Sequence, residues 1–205
     1  MTTIVGIQGD GYAIIANDSR ISDTDSNGFV SRISTVRPGS GKVAKNGKYI
    51  IGAAGDMRAI NLLHHVFNPP APPATLLGVR LDKFFTSKFI PDLRECFDSQ
   101  GYSAPTNDQS EHIAEQGSSI LVAIHGVIYV IDSDYSWASD NNGLYGLGTG
   151  GPYALGALKA LFPKKKLTAP QAKSLALKAL TVAAHYDPHT GPPFYAQVQE
   201  QYVSR

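Results

Sequence analysis

Three times in this chain two short β-branched or apolar runs are separated by a glycine turn, and no other feature limits the fold as much. Residues 3–8 and 12–17 flank Gly9-Asp10-Gly11, residues 42–45 and 48–51 flank Asn46-Gly47, and residues 119–124 and 127–132 flank His125-Gly126. Runs joined this tightly pair antiparallel, because a parallel crossover needs a dozen residues or more. With Asn46-Gly47 as a two-residue turn, Lys42 is expected opposite Ile51. A polar stretch, 19–28, precedes a further β-prone run at 29–36, and residues 194–202 alternate apolar and polar as a half-buried strand does.

Between these blocks the apolar period lengthens. Met57, Ile60, Leu63 and Phe67 share one helical face, and the proline-rich residues 68–74 end that helix. Within 81–97, Phe85, Phe89, Leu93 and Phe97 recur every fourth position, with Pro91 expected to kink the helix. Residues 99–116 are polar and read as a loop. Gly146 to Gly151 lead into a helix over 152–162, and Thr168-x-x-Gln171 is a capping-box pattern opening another, whose face is Leu175, Ala179, Val182, Ala183 and Tyr186. The order strands, two helices, strands, two helices, strand predicts an α+β chain, helices outside antiparallel sheet, as one domain over residues 1–205.

Composition removes several functions. The 205 residues carry 18 Lys and Arg against 17 Asp and Glu, a formal net charge of +1, which argues against nucleic acid as a partner and against a polybasic membrane anchor. A single cysteine, Cys96, allows neither an internal disulfide nor a multi-cysteine zinc site. It falls on a helical face with Phe89 and Leu93, which suits a buried small hydrophobe better than a nucleophile. Apolar runs such as 120–124 are far short of the roughly 20 residues that span a bilayer, and no signal-peptide pattern opens the chain. A cytoplasmic protein without cofactor or metal is expected. His64-His65, Glu111-His112 and Asp132-x-Asp134 lack partners at metal-ligand spacing, and Lys164 to Lys166 read as a solvated loop.

The glycine-rich segments invite nucleotide readings that their context rejects. Gly146-x-Gly148-x-x-Gly151 fits the dinucleotide fingerprint, but the helix after it runs into another helix instead of the strand a βαβ unit requires. Gly39-Ser40-Gly41-Lys42 resembles the end of a phosphate loop, yet Val43 replaces the metal-binding hydroxyl and a hairpin follows in place of a helix. Thr2 offers different chemistry. Removal of Met1 would leave a threonine with a hydroxyl and a free α-amine, whose reference pKa of about 7.7–8.0 makes it a base near neutral pH. Nucleophile and base then reside in one residue.

Met1 to Val5, Asn17-Asp18-Ser19-Arg20, Ile51-Gly52-Ala53-Ala54-Gly55-Asp56, Gly148-Thr149-Gly150-Gly151-Pro152-Tyr153-Ala154 and Asp187-Pro188-His189-Thr190-Gly191 together resemble the proteasome β-subunit family, most of all its bacterial HslV peptidase branch. The resemblance spans residues 2–67 and 118–191. It implies a four-layer αββα fold, a threonine-dependent endopeptidase acting through an acyl-enzyme ester, and a homo-oligomeric ring fed polypeptide by an ATP-dependent unfoldase. Carried over by position, Thr2 is the nucleophile, Asp18 the carboxylate paired with the site lysine, and Gly52 the oxyanion-hole glycine. Thr149, Asp187 and Thr190 orient the terminal amine. Threonine stands at 149 and 190 where the family usually has serine, and HslV itself lacks the pair matched by Asp187 and Thr190. Ser22 contacts substrate backbone, while Ile21, Ile50 and Ala54 line a neutral, apolar pocket.

The lysine is Lys42, with Lys45 and Lys48 as alternatives because the chain is longer before Lys42 and shorter after it than in the family. Two other functions remain compatible with these residues. One is a proteasome-like ring serving as a silent scaffold, and the other an amidase using the same N-terminal chemistry on a small molecule. Taken singly, Asp18 and Asp187 also suit turns or helix ends, and Gly52 and Gly55 suit close packing.

Overall fold

The computed structural model describes residues 2–37, 41–74, 76–102, 117–163 and 165–200. Strands β1 (Thr3–Gly9) and β2 (Tyr12–Asn17) form the first hairpin, paired Ile4 to Asn17 through Gly9 to Tyr12. β10 (Leu144–Gly148) and β11 (Tyr195–Glu200) flank them in a four-stranded sheet of order β10-β1-β2-β11. A five-stranded sheet has the order β5 (Val43–Asn46), β6 (Tyr49–Ala54), β7 (Ser119–Ile124), β8 (Val127–Ile131) and β9 (Trp137–Ala138). Every pairing is antiparallel.

Both faces of both sheets are covered, which explains why these strands read as nearly unbroken apolar runs. Alternate residues supply different clusters, because successive side chains leave opposite faces of a strand. Ile4, Ala13, Ile15, Ile50, Leu121 and Ala123 meet between the sheets. Val5, Ile7, Ile14 and Ala16 pack outward on α4 (Gly151–Leu161) and α5 (Ala169–Tyr186). Tyr49, Ile51, Val122 and Ile124 pack outward on α1 (Met57–His65), α2 (Val79–Phe84), a π-helical turn (Phe85–Phe89) and α3 (Ile90–Ser99). α1 is capped by the Asp56 carboxylate, and α5 opens with the Thr168–Gln171 capping box expected of its sequence.

Three expectations change. The polar stretch at 19–28 contains a strand, β3 (Arg20–Thr24), paired with β4 (Val30–Thr35) in a separate two-stranded sheet. Cross-strand pairing, not burial, makes it a strand, so its apolar pattern gave no signal. The second hairpin turns on Gly47 and Lys48, with Asn46 opposite Tyr49 and Val43 opposite Gly52, so Lys42 precedes Val43 and does not face Ile51. The Asn46 amide donates to the Leu63 and Phe67 carbonyls at 3.0 and 2.7 Å, which holds it in the strand and out of the turn.

Pro91 ends a widened turn. Its ring has no N–H and crowds the carbonyl four residues back. The chain accommodates this by bonding the Ile90 N–H to the Phe85 carbonyl five residues back. Of the polar segment 99–116, residues 103–116, which include Glu111 and His112, lie outside the described residues. No helix among the described residues is long and apolar enough to cross a membrane.

Candidate active site

The first residues of β1 converge with the β2–β3 junction, the start of β5, the β10–α4 turn and the loop after α5. Asp18, at the end of β2, is fully buried and accepts four hydrogen bonds. Oδ1 takes the Thr3 N–H at 2.9 Å and the Lys42 ammonium at 2.7 Å, while Oδ2 takes the Arg20 and Gly191 N–H groups at 3.0 and 3.1 Å. Lys42 also donates to the Arg20 carbonyl at 2.6 Å. Burial pushes the Lys42 ammonium below the ordinary lysine range, Asp18 and Asp187 pull it back up, and Arg20 adds to the depression. Lys45 and Lys48 are exposed, so Lys42 is the lysine of the three that reaches Asp18.

A second buried carboxylate belongs to Asp187, which follows α5 and donates its backbone N–H to the Ala183 carbonyl. Its Oδ2 accepts the Thr149 hydroxyl at 2.9 Å and the Thr190 hydroxyl at 2.5 Å, and its Oδ1 accepts the His189 N–H at 3.2 Å. Thr190 and Thr3 hydroxyl oxygens lie 2.5 Å apart. Because Thr190 gives its only hydroxyl proton to Asp187, Thr3 donates to Thr190. Hydroxyls from β1, the β10–α4 turn and the α5 loop thus converge on one carboxylate. The glycines of the β10–α4 turn make this approach possible. At Gly148, φ is +80° and a Cβ would collide with the Thr2 carbonyl, and at Gly150 a Cβ would lie 2.3 Å from the Thr3 hydroxyl oxygen.

Thr2 itself is only 2% exposed and immediately precedes β1, beside both clusters in sequence and in space. Met1 lies outside the described residues. Gly52 lies in β6, between Val43 of β5 and Leu121 of β7. Ser22, on β3, is buried with its hydroxyl 2.6 Å from His189 Nδ1. Ile21 is half-buried and Ala54 buried. Ile50 departs from the expectation of a pocket wall, because it is 1% exposed and packs with Ile4 and Leu121 between the sheets.

Thr3, Ser19 and Arg20 have no role in the sequence reading, which places His189 near the terminal amine without a fixed role, whereas its ring meets Ser22. Arg20 donates to the Pro188 carbonyl at 2.7 Å, and Ser19 to the Pro193 carbonyl at 2.5 Å. Arg20 and Ser19 sit inside the Asn-Asp-Ser-Arg motif, which was the available signal. Cys96 packs at the edge of the α1–α3 cluster, where burial pushes its thiol up, and Lys166 pairs with Asp10 at the surface. Among the described residues no group of three or more His, Cys, Asp or Glu could hold a metal.

The fold is of the proteasome and HslV type. The chain is similar over 98% of its length to all of BPH from Thiobacillus denitrificans, with 20% identity and a TM-score of 0.72. Its likeness to the same protein in complex with epoxomicin is 20% identity and a TM-score of 0.71, over 97% of this chain and 98% of that one. For eukaryotic HslV from Trypanosoma brucei the values are 19% identity and 0.60, over 97% and 99% of the two chains. At such identities the likeness is one of fold. No family model and no curated protein matches the chain.

Proposed function

We propose that the chain is a threonine-dependent endopeptidase of the proteasome and HslV type, with Thr2 as its nucleophile after removal of Met1. The observation that carries this reading is the buried Asp18–Lys42 pair bonded to the Thr3 N–H, one residue from Thr2. The Thr2 α-amine takes the hydroxyl proton as the oxygen attacks a peptide carbonyl. It then protonates the leaving amine, and water hydrolyses the resulting ester. The positive charge of Lys42 favours the attacking oxyanion and keeps the neighbouring amine neutral. Gly52 matches the oxyanion-hole glycine by position, but it is paired on both sides within the β5–β6–β7 ladder, which engages its N–H, so no part in stabilising the tetrahedral intermediate is assigned to it. Asp187, with Thr149, Thr190 and Thr3, orients the amine. Ser22 contacts substrate backbone, and Ile21 and Ala54 border a neutral pocket with Ile50 beneath it.

The three stacked apolar clusters favour a single domain of four layers, helix, sheet, sheet, helix. A cytoplasmic homo-oligomeric ring, supplied with polypeptide by an ATP-dependent unfoldase, is the assembly that suits such a site and that the family resemblance implies. Epoxomicin is the apt probe because one of the similar structures holds it. Intact mass should show a chain lacking Met1 that gains the mass of one epoxomicin, with Thr2→Ala neither labelled nor able to cleave fluorogenic peptides. A native protein that keeps Met1 and takes no label is instead the silent scaffold. Cleavage of small amides but not peptides indicates the amidase.

A further inference from the structure

We propose that His189 is a positioning residue for substrate, locking the Ser22 hydroxyl so that its oxygen is presented to a peptide N–H. This rests on the peptidase reading. Ser22 and His189 are 8% and 9% exposed, and Ser22 Oγ lies 2.6 Å from His189 Nδ1. A serine hydroxyl turns freely unless a partner takes its proton. With Nδ1 as the acceptor, the proton is committed and the oxygen keeps its lone pairs for a donor. Ser22 follows Arg20 by two positions on β3, and the Arg20 carbonyl receives the Lys42 ammonium, so one short strand carries both the Lys42 acceptor and this hydroxyl.

The simpler role for the contact is to fasten the 187–191 loop to β3. That loop is already fastened without it. Arg20 donates to the Pro188 carbonyl at 2.7 Å, the Ser19 N–H to the Gly191 carbonyl at 3.0 Å, and the Gly191 N–H to Asp18 at 3.1 Å. The His189 N–H is itself held by Asp187. Bonds to the backbone groups of the loop therefore hold residue 189 in place, and what the imidazole adds is the direction of one hydroxyl. Nothing in the Asp18–Lys42 or Asp187 clusters receives a side-chain bond from His189, so its effect falls on binding and not on the chemical step.

A mutant cycle on peptide cleavage decides the matter. Ser22→Ala and His189→Leu should each raise KM about tenfold, the loss of one hydrogen bond to substrate, with kcat within about twofold of wild type. The double variant should be no worse than Ser22→Ala. His189→Asn, whose amide oxygen lies near the former Nδ1, should restore KM to within about threefold of wild type. If His189→Leu does not fold, His189→Gln, whose amide reaches the Nε2 position instead, takes its place. An additive double variant, a kcat loss matching the KM change, or a His189→Asn as poor as His189→Leu overturns the assignment. A wild-type protein that neither cleaves peptides nor takes up epoxomicin overturns the peptidase reading and this role with it. A wild type that does both, with an additive cycle, overturns the role of His189 alone.

Discussion

Lys42 shows how a single side chain can organise a buried site. Its side chain is 1% exposed and its ammonium faces a carboxylate on a fully enclosed side chain, so neither charge has water to fall back on. Removing one partner strands the other. Lys42→Met should therefore cost about 3–5 kcal/mol in urea unfolding, the usual penalty for an orphaned buried charge, whereas Lys45→Met and Lys48→Met should stay within about 0.5 kcal/mol. Equal midpoints for all three variants would show that the pair contributes nothing to folding. Asp18, Thr149, Asp187 and Thr190 each lie in a short motif that marks them, whereas Lys42 lies in none of these and is favoured over Lys45 and Lys48 only by a hairpin register that the fold does not keep. The roles of Thr3 and Arg20 were not legible, since their partners, Thr190 and Pro188, are 187 and 168 positions away and no local pattern records such a meeting.

At the scale of the element, periodicity carried most of the information. The hairpins, the capping box and the long helical stretch ending in α3 all follow from residues within a few positions of each other. The second hairpin is the instructive exception. Asn-Gly signals a turn but does not settle which pair of residues makes it, and the carbonyls of Leu63 and Phe67 draw Asn46 into β5. Asn46→Ala removes both bonds and leaves those carbonyls at the end of α1 without that donor. A loss of about 1–3 kcal/mol is expected, read as a lower thermal midpoint. A midpoint unchanged from wild type would mean that the backbone alone holds the register. β3 stayed hidden for a related reason, because a strand stabilised by its partner β4 needs no apolar alternation of its own.

Across the whole molecule, the outer cluster on α1–α3 is rich in aromatic contacts. Tyr129 stacks on Phe85 with centroids 4.1 Å apart and gives its hydroxyl proton to Asp82 at 2.7 Å. Burial, aided by the Asp82 carboxylate, raises its pKa well above the ordinary tyrosine value. The unfolded chain loses this proton near pH 10 while the folded chain keeps it, so the unfolded state binds fewer protons above that pH. The stability tied to this group is fully present below about pH 10 and declines as pH rises further. Urea midpoints at pH 8 and pH 11 should fall less in Tyr129→Phe than in wild type. An equal fall in both would exclude Tyr129 as a source of alkaline sensitivity.

By itself the sequence determined that the chain is α+β, that its hairpins are antiparallel, where α1 and α5 begin, and which motifs to compare with known families. These properties depend on neighbours a few residues apart, where turn chemistry and side-chain period act directly. Tertiary structure alone decided which of three lysines meets Asp18, that Ile50 is enclosed, and that the Thr3 and Thr190 hydroxyls join the Asp187 carboxylate. It also brought His189 to Ser22 across 167 positions. Contacts of this kind are set by how two covered sheets and their helices pack, and small changes of register break them. The local pattern of residues stays the same either way.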